Sequence, residues 1–370
     1  MRFPEFAGEW EKNNLSKFSS KITKKNKGNV IQNVLCNSAN LGIIPQNDYF
    51  DRDIANADNT DSYYIIEQGD FVYNPRKSTA APYGPVNIYN GEKPGIISPL
   101  YLCFSVLNIS SIFLFYRFKS SVWHPYVYSH GDTGVRFDRV SIKDDVFFDM
   151  PIYTPTQNEQ EKIATLLSLI DERIATQNKI IEDLKKLKSA IRIKAFKQLE
   201  NSCEHWTEIG NMLQYEQPSK YLVSSTEYSD GYAIPVLTAN KAFILGYTDE
   251  NFGIYDKGEC VIFDDFTMDV KFVNFPFKVK SSAIKILTSI GSNDLYFVYE
   301  YLQNLGLVSE EHKRHYISEI EPMNIACPPL EDQQKISNLL CSFNNKIECA
   351  NRELFLYNQQ KQYLLTQMFI

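Results

Sequence analysis

The 370-residue sequence has no apolar run of membrane-spanning length. The nearest, Pro99–Phe118, is broken by serines, Asn108 and Arg117, and reads as buried strand or helix. The opening MRFPEFAGEWEKNN has no apolar signal-peptide core, so the cytoplasm is the expected location. Cysteine is scarce and scattered. Seven residues with no Cys-x-x-Cys pair argue against a disulfide framework and against a tetrahedral zinc site. There is no Walker phosphate loop, no Gly-x-Ser-x-Gly elbow and no Cys–His pairing of catalytic spacing. Basic excess is absent too, because the net charge is −7. At 44% hydrophobic and 22% charged residues, wholesale disorder and fibrous folds are excluded. The length implies two to three domains.

The charge is uneven. Residues 1–30 carry seven Lys and Arg against three acids, whereas residues 201–330 carry nine against eighteen. Polyanion binding depends on local basic faces, so the acidic total leaves it open. Tyr and Phe are plentiful, at 23 and 24, which suits aromatic-rich sheets or a recognition surface.

An internal repeat dominates the sequence. Residues 155–196 and 328–369 align without a gap at an offset of 173, with ten identities in 42 positions. The pairs include Pro155/Pro328, Gln160/Gln333, Lys162/Lys335, Lys188/Lys361 and Phe196/Phe369. Each copy lacks Gly and Pro beyond its opening and is helical by pattern. The first has a heptad seam through Ile163, Leu167, Ile170, Ile174, Gln177, Ile181, Leu184, Lys188, Ile191 and Ala195. The second runs through Ile336, Leu340, Phe343, Ile347, Ala350, Leu354, Tyr357, Lys361, Leu364 and Met368. About five heptads mark a coiled coil, and such a helix spans roughly 57 Å. A lysine at the same seam position in both copies suits a register-fixing role. The competing reading is that each helix packs only on its own globular segment.

Two dissimilar globular segments precede the helices. Weak echoes link them. Trp10 and Trp206 lie near their starts, and both contain a strand pattern after a turn glycine, at Gln68–Asn74 and Lys257–Phe263. Tyr63–Glu67, Lys271–Lys280 and Ala283–Leu287 also read as strands. The expected division is residues 1–155, 156–200, 201–328 and 329–370: head, helix, different head, helix.

On these features the sequence resembles the specificity subunit of Type I restriction-modification systems. The resemblance covers nearly the whole chain. It rests on the repeated Pro-x-x-x-(Glu/Asp)-Gln-x-Lys-Ile helix opening and the helix-ending Phe, with further pieces at RFPEFAGEWEKNNL, Gly69–Lys77 and His312–Pro329. The second helix departs from the first by carrying Asn344-Asn345 in place of Asp171-Glu172. The resemblance implies an α+β architecture with two mixed α/β target recognition domains. Their helices pair as an antiparallel coiled coil with pseudo-twofold symmetry. It also implies a non-catalytic DNA-reading subunit. Each head reads half of a split, asymmetric DNA site, and the helices space the heads and dock two methyltransferase subunits. A translocating endonuclease subunit completes the complex. S-adenosylmethionine, ATP and Mg are expected on those partners and no cofactor on this chain.

Candidate DNA contacts follow from residue type. Lys24, Lys25 and Lys27, with Lys21 before them, form a basic Gly/Asn loop suited to phosphates. Arg76 and Lys77 precede the small residues STAAPYGP, and an arginine there suits a guanine edge. Trp123, His124, Tyr126, Tyr128 and His130 read mainly as core, with Arg136 after them as a contact. In the second head the candidates are Lys271, Lys278 and Lys280, with Lys285 nearby, and the patch His312, Lys313, Arg314 and His315. For each set the competing reading is a solvated loop or packing.

Two patterns suggest an enzyme. Asn274-Phe275-Pro276-Phe277 faintly resembles an amino-methyltransferase motif, but Phe replaces its middle proline. Asp256 with Asp269-Val270-Lys271 has the spacing of a metal-dependent nuclease, a pattern that arises often by chance. The alternatives to DNA reading are therefore a two-headed scaffold that binds proteins and a stand-alone nuclease.

Overall fold

A computed structural model describes residues 2–49, 57–131, 138–238, 242–309 and 314–369. Two long helices occupy the repeat, Gln157–Ser202 and Leu330–Met368. No described helix is long and apolar enough to cross a membrane. The chain forms two compact units that cut across the helices rather than setting them apart. One comprises Met1–Gln177 with Glu353–Ile370, and the other Asn178–Arg352. Each unit therefore holds one head, the start of the long helix that follows it and the end of the other long helix.

In the first unit the two helices run in opposite directions. Residues 171, 173 and 177 meet residues 361, 357 and 353, so one number rises as the other falls. In the second unit Lys188 of the first helix meets Asn344 of the second, 2.7 Å from Nζ to Oδ1. Every residue of both heptad seams is buried or half-buried, as a narrow helix-pairing stripe requires. The helix ends also pack on the heads. Ile163, Leu167 and Ile170 join Leu364, Leu365 and Met368 around Phe113 and Tyr116 of the first head. Phe196 and Leu340 lie in the core of the second. Helix pairing and head packing are both present.

The heads differ in sequence but share a strand order. In the first, an antiparallel sheet runs Ser19–Lys21, Leu102–Val106, Phe71–Tyr73, Val86–Ile88. In the second, the corresponding order is Leu213–Glu216, Ile284–Ser289, Cys260–Asp264, Val270–Val273. Each head adds a second sheet, four-stranded in the first and three-stranded in the second, with one parallel pair, Val34–Ser38 beside Gly95–Ile97 and Ile234–Leu237 beside Lys278–Val279. The echo around Gly69 and Gly258 marks equivalent places. Both glycines have φ of +92° and turn the chain into a central strand. The apolar run from Pro99 contains both a strand and, from Ser111 to Lys119, a helix.

That helix and its counterpart, Leu295–Leu305, attach each head to the long helices. Ser110 and Asp294 cap them, each side chain accepting from the backbone N–H three residues on. The cap residue's own N–H donates to a glutamine of the repeat. Ser110 N–H donates to Gln160 Oε1 and Asp294 N–H to Gln333 Oε1, each at 2.9 Å. The same glutamines donate from Nε2 to the carbonyls of Pro155 and Pro328, each at 2.9 Å. One buried amide thus satisfies a head-helix donor and the carbonyl of the proline that precedes the long helix. The repeat phenylalanines, Phe196 six residues before the end of its helix and Phe369 just past the end of the other, complete the attachment. Phe369 packs on Phe113 with ring centroids 5.4 Å apart, and Phe196 on Phe297 at 5.5 Å. A two-stranded ribbon closes each head, Glu11–Asn14 with Pro151–Thr154 and Trp206–Glu208 with Asn324–Ala326.

Replacing Gln160 or Gln333 with Met keeps the volume but orphans a buried N–H and a buried C=O. Each variant is expected to lose about 1–3 kcal/mol of stability, read from urea unfolding. A loss below about 0.5 kcal/mol would assign the joint to apolar packing alone.

Candidate nucleic-acid interface

The basic loop of the first head is held in shape by one asparagine. Buried Asn26 donates from Nδ2 to Ile31 O at 2.9 Å and accepts from Ile31 N–H at 3.0 Å. Lys25 bridges Tyr64 on the neighbouring strand. Lys24, Lys25 and Lys27 all point outward as exposed side chains. Lys24 lies 3.9 Å from exposed Glu67, a distance at which water screens most of the attraction. Lys21 is committed elsewhere, 2.5 Å from Asp144.

Arg76 and Lys77 stand on a tight loop built by their neighbours. Arg76 N–H donates to Asn74 Oδ1 at 3.0 Å, and Lys77 N–H to Asp138 O at 2.8 Å. A Cβ at Gly84 would lie 2.1 Å from Asn74 O, so only glycine lets the two arms of the loop close. Arg76 is exposed and bridges Arg139. Both guanidiniums act on Tyr101, whose hydroxyl is nonetheless pushed up by burial. Tyr64, Pro75, Tyr101 and Val140 line a groove of about 270 Å³. Lys25, Arg76 and Arg139 adjoin these lining residues, so cations flank tyrosines. This combination suits phosphates and base edges. Arg139 is a candidate that residue type alone did not raise. Arg136, His312 and Lys313 lie outside the described residues. Of the aromatic stretch, Trp123 is core, with its indole N–H donating to Phe118 O at 3.0 Å, while Tyr128 is exposed.

The second head corrects two candidates. Lys278 is 0% exposed. Its ammonium lies 2.5 Å from Glu250 and donates to Phe252 O at 2.8 Å. It sits over the Phe252 ring at 4.3 Å. His315 is 2% exposed. Its ring nitrogens lie 2.8 Å from Glu319 and 3.0 Å from Ser309. Neither side chain reaches a surface ligand in this conformation, because each is spent on an internal partner. Lys285 is likewise buried, 3.6 Å from Asp265 and 5.0 Å over the Tyr215 ring. Asp265 also accepts the backbone N–H groups of His315 and Tyr316, at 3.0 and 2.8 Å. His315 and Tyr316 are thereby stapled beside the sheet, and Arg314 before them is exposed. Lys280 is exposed beside Tyr228, and Lys271 is half-buried on its strand.

Of the acids that suggested a nuclease, Asp269 Oδ2 accepts from the Thr267 hydroxyl at 3.2 Å, and its neighbours Asp264 and Asp265 are also used locally. Asp264 Oδ1 accepts from the N–H groups of Phe266 and Thr267, and Asp265 pairs with Lys285. Among the described residues no three of His, Cys, Asp and Glu converge as a metal site. Phe277 of the Asn-Phe-Pro-Phe segment is core, stacked on Tyr255 at 4.9 Å.

A cleft of about 910 Å³ lies within the first unit. Its lining includes Asn33, Asn87, Lys119, His124 and Lys361 and, among the described residues, no acid. Lys119 donates to Asn87 Oδ1 at 2.5 Å and sits 5.0 Å from the Phe115 ring. Burial first, then Lys361, lower its ammonium to about 8, partly offset by Asp171.

Residues 204–354 match the family model for the Type I restriction modification DNA specificity domain. Over these residues the chain is similar to the DNA specificity domain of Type I restriction-modification systems. It is 42% identical over 176 residues to the Escherichia coli EcoR124I/EcoR124II specificity subunit, which covers 44% of each protein. The match thus spans less than half of that relative. A putative specificity subunit, MjaX of Methanocaldococcus jannaschii, is 25% identical over 309 residues, 73% of this chain and 70% of the relative. In fold, the chain is similar to the S subunit from M. genitalium, with a TM-score of 0.63 at 15% identity over 100% of this chain and 99% of that one. A second Type I structure gives 0.58 at 12% identity, over 98% and 97%. The matched domain takes in the second head and the start of its helix. The first head lies outside that match and is tied to the second by strand order and by the glutamine joint.

The lowered Lys119 ammonium gives a signed pH dependence. Between about pH 8 and 10.5 the folded state releases a proton that the unfolded state keeps, so this group adds stability as pH rises through that window. Below pH 8 the buried charge is only a cost. Lys119→Met should be more stable than the parent at pH 7, and the gap should narrow toward pH 10. A gap independent of pH, in thermal midpoints taken from pH 7 to 10, would place the lysine in a solvated setting.

Proposed function

We propose that the chain is the DNA-reading subunit of a Type I restriction-modification complex. Each head reads one half of a bipartite, asymmetric site. The paired helices set the spacing of the half-sites and dock two methyltransferase subunits, and a translocating endonuclease subunit joins them. The chemistry, with S-adenosylmethionine, ATP and Mg, belongs to those partners, and this chain contributes recognition in the cytoplasm. The observation that carries this reading is a pair of heads with one strand order and one joint but different surface residues. A shared frame with divergent loops suits a protein that presents two specificities in the same way. The family-model match over residues 204–354 and the similarity to the Escherichia coli specificity subunit support the same reading.

The deciding experiment is methylation mapping in cells expressing the chain with its cognate methyltransferase. The expected motif has two unlike halves separated by an unread spacer, because the heads differ. A palindromic motif, or no motif, would overturn the proposal.

Phosphate and base contacts separate by variant. Replacing Lys24, Lys25 and Lys27 with Ala should weaken binding to every duplex by a similar factor. Each lysine that neutralises a phosphate should, on removal, reduce the slope of log K against log salt by about 0.9. Replacing Arg76 or Arg314 should relax one position in one half-site, at roughly 1–3 kcal/mol for a bidentate base contact. Titrations on matched and singly substituted duplexes at several salt concentrations decide it. An arginine variant that weakens all sequences equally moves that residue to the phosphate class.

A further inference from the structure

The repeat places one lysine in each unit against a carboxylate, buried at Glu300 and half-buried at Asp171, and the two carboxylates stand on different elements. In the first unit Lys361 Nζ lies 2.5 Å from Asp171 Oδ1, and Asp171 is on the first long helix. Tyr116 of the head helix donates to Asp171 Oδ2 at 2.8 Å. In the second unit Lys188, the repeat partner of Lys361, lies 2.6 Å from Glu300 Oε1. It also lies 2.7 Å from Asn344 Oδ1. Asn344 is the repeat partner of Asp171 at the offset of 173. Counted from the caps Ser110 and Asp294, Glu300 is the counterpart of Tyr116, six residues into each head segment. The acid has therefore changed places. The pair is tyrosine on the head and aspartate on the helix in one unit, glutamate on the head and asparagine on the helix in the other.

The environment makes the exchange consequential. Glu300 is 0% exposed, and the side chains of Lys188 and Lys361 are only 12% and 20% exposed. A buried lysine without an acid, or a second acid beside the first, is an uncompensated charge in low dielectric. Arg192 adds a second cation 3.4 Å from Glu300, at the repeat position where the first unit has Leu365.

We propose that positions 116 and 171, and positions 300 and 344, are coupled pairs that must supply one carboxylate between them to the seam lysine. The helix-side residue is thus matched to the head it follows. Asn344 loses nothing that Asp171 supplies, because Glu300 carries the charge. A head is then a self-sufficient piece only when it extends through the start of its helix, past residue 171 or 344. Joined to the other helix start, the second head would set Glu300 against Asp171. The first head would set Tyr116 against Asn344 and leave the lysine without an acid.

The test relocates the acid within the full-length chain and reads hydrogen exchange at the head helices, residues 111–119 and 295–305. Asp171→Asn and Glu300→Gln should each speed exchange locally by at least about tenfold, the effect of breaking a buried pair. Adding Tyr116→Glu to the first, and Asn344→Asp to the second, should return protection to within about threefold of the parent. Tyr116→Glu alone, with two acids facing one lysine, should loosen the same segment. If Glu300→Gln fails to fold, recovery of folded protein on adding Asn344→Asp is the equivalent result. Additive losses in the double variants, with no recovery in either unit, would overturn the proposal.

Discussion

Each unit depends on the hydrogen bonds of one buried amide. A glutamine in the first turn of a long helix accepts from the cap of the head helix and donates back to its own preceding proline. Neither group could be left unpaired in that interior without a cost of the order of a whole hydrogen bond. The constraint fixes the head helix against the long helix at one end. The repeat phenylalanine, arriving from the end of the other long helix, fixes it by packing. Polar specificity and apolar area thus act on the same short helix from two sides. The heads are otherwise free to vary in the loops that this joint leaves exposed.

Charge is used inside the molecule as much as on it. The second head is strongly acidic in sequence, yet two of its lysines, Lys278 and Lys285, are buried against acids. In each case the partner lies far away in the chain, and the pair closes a loop onto a sheet. Such pairs add little net stability over an apolar alternative, but each fixes which loop sits where. The lysine at the coiled-coil seam follows the same logic. A cation on the seam tolerates only registers that bring a carboxylate to it.

The same economy shapes the candidate DNA-facing surfaces. A groove lined by Tyr64 and Tyr101 and flanked by Lys25, Arg76 and Arg139 is built from loops whose backbones are tied by Asn26, Asn74 and Gly84. Tied loops present charged side chains with less ordering cost on binding. The buried cations of the second head leave Arg314 and Lys280 as exposed candidates on that side.

The repeat, both helices, their seam and the seam lysines were legible in the sequence, because a helix writes its contacts as a period and the two copies keep one offset. The strand echo at Gly69 and Gly258 was legible for a related reason: a left-handed turn admits few residues but glycine. The equivalence of the head helices was not. Their caps stand 184 residues apart rather than 173, so inserted loop residues break the ungapped alignment that reveals the helices. Nor could residue type separate Lys278 and His315 from Lys280 and Arg314. A lysine reads the same in sequence whether it faces water or Glu250. Only the folded chain, which brings residue 250 to 278 and residue 265 to 315, decides which charges are consumed inside and which remain for a partner.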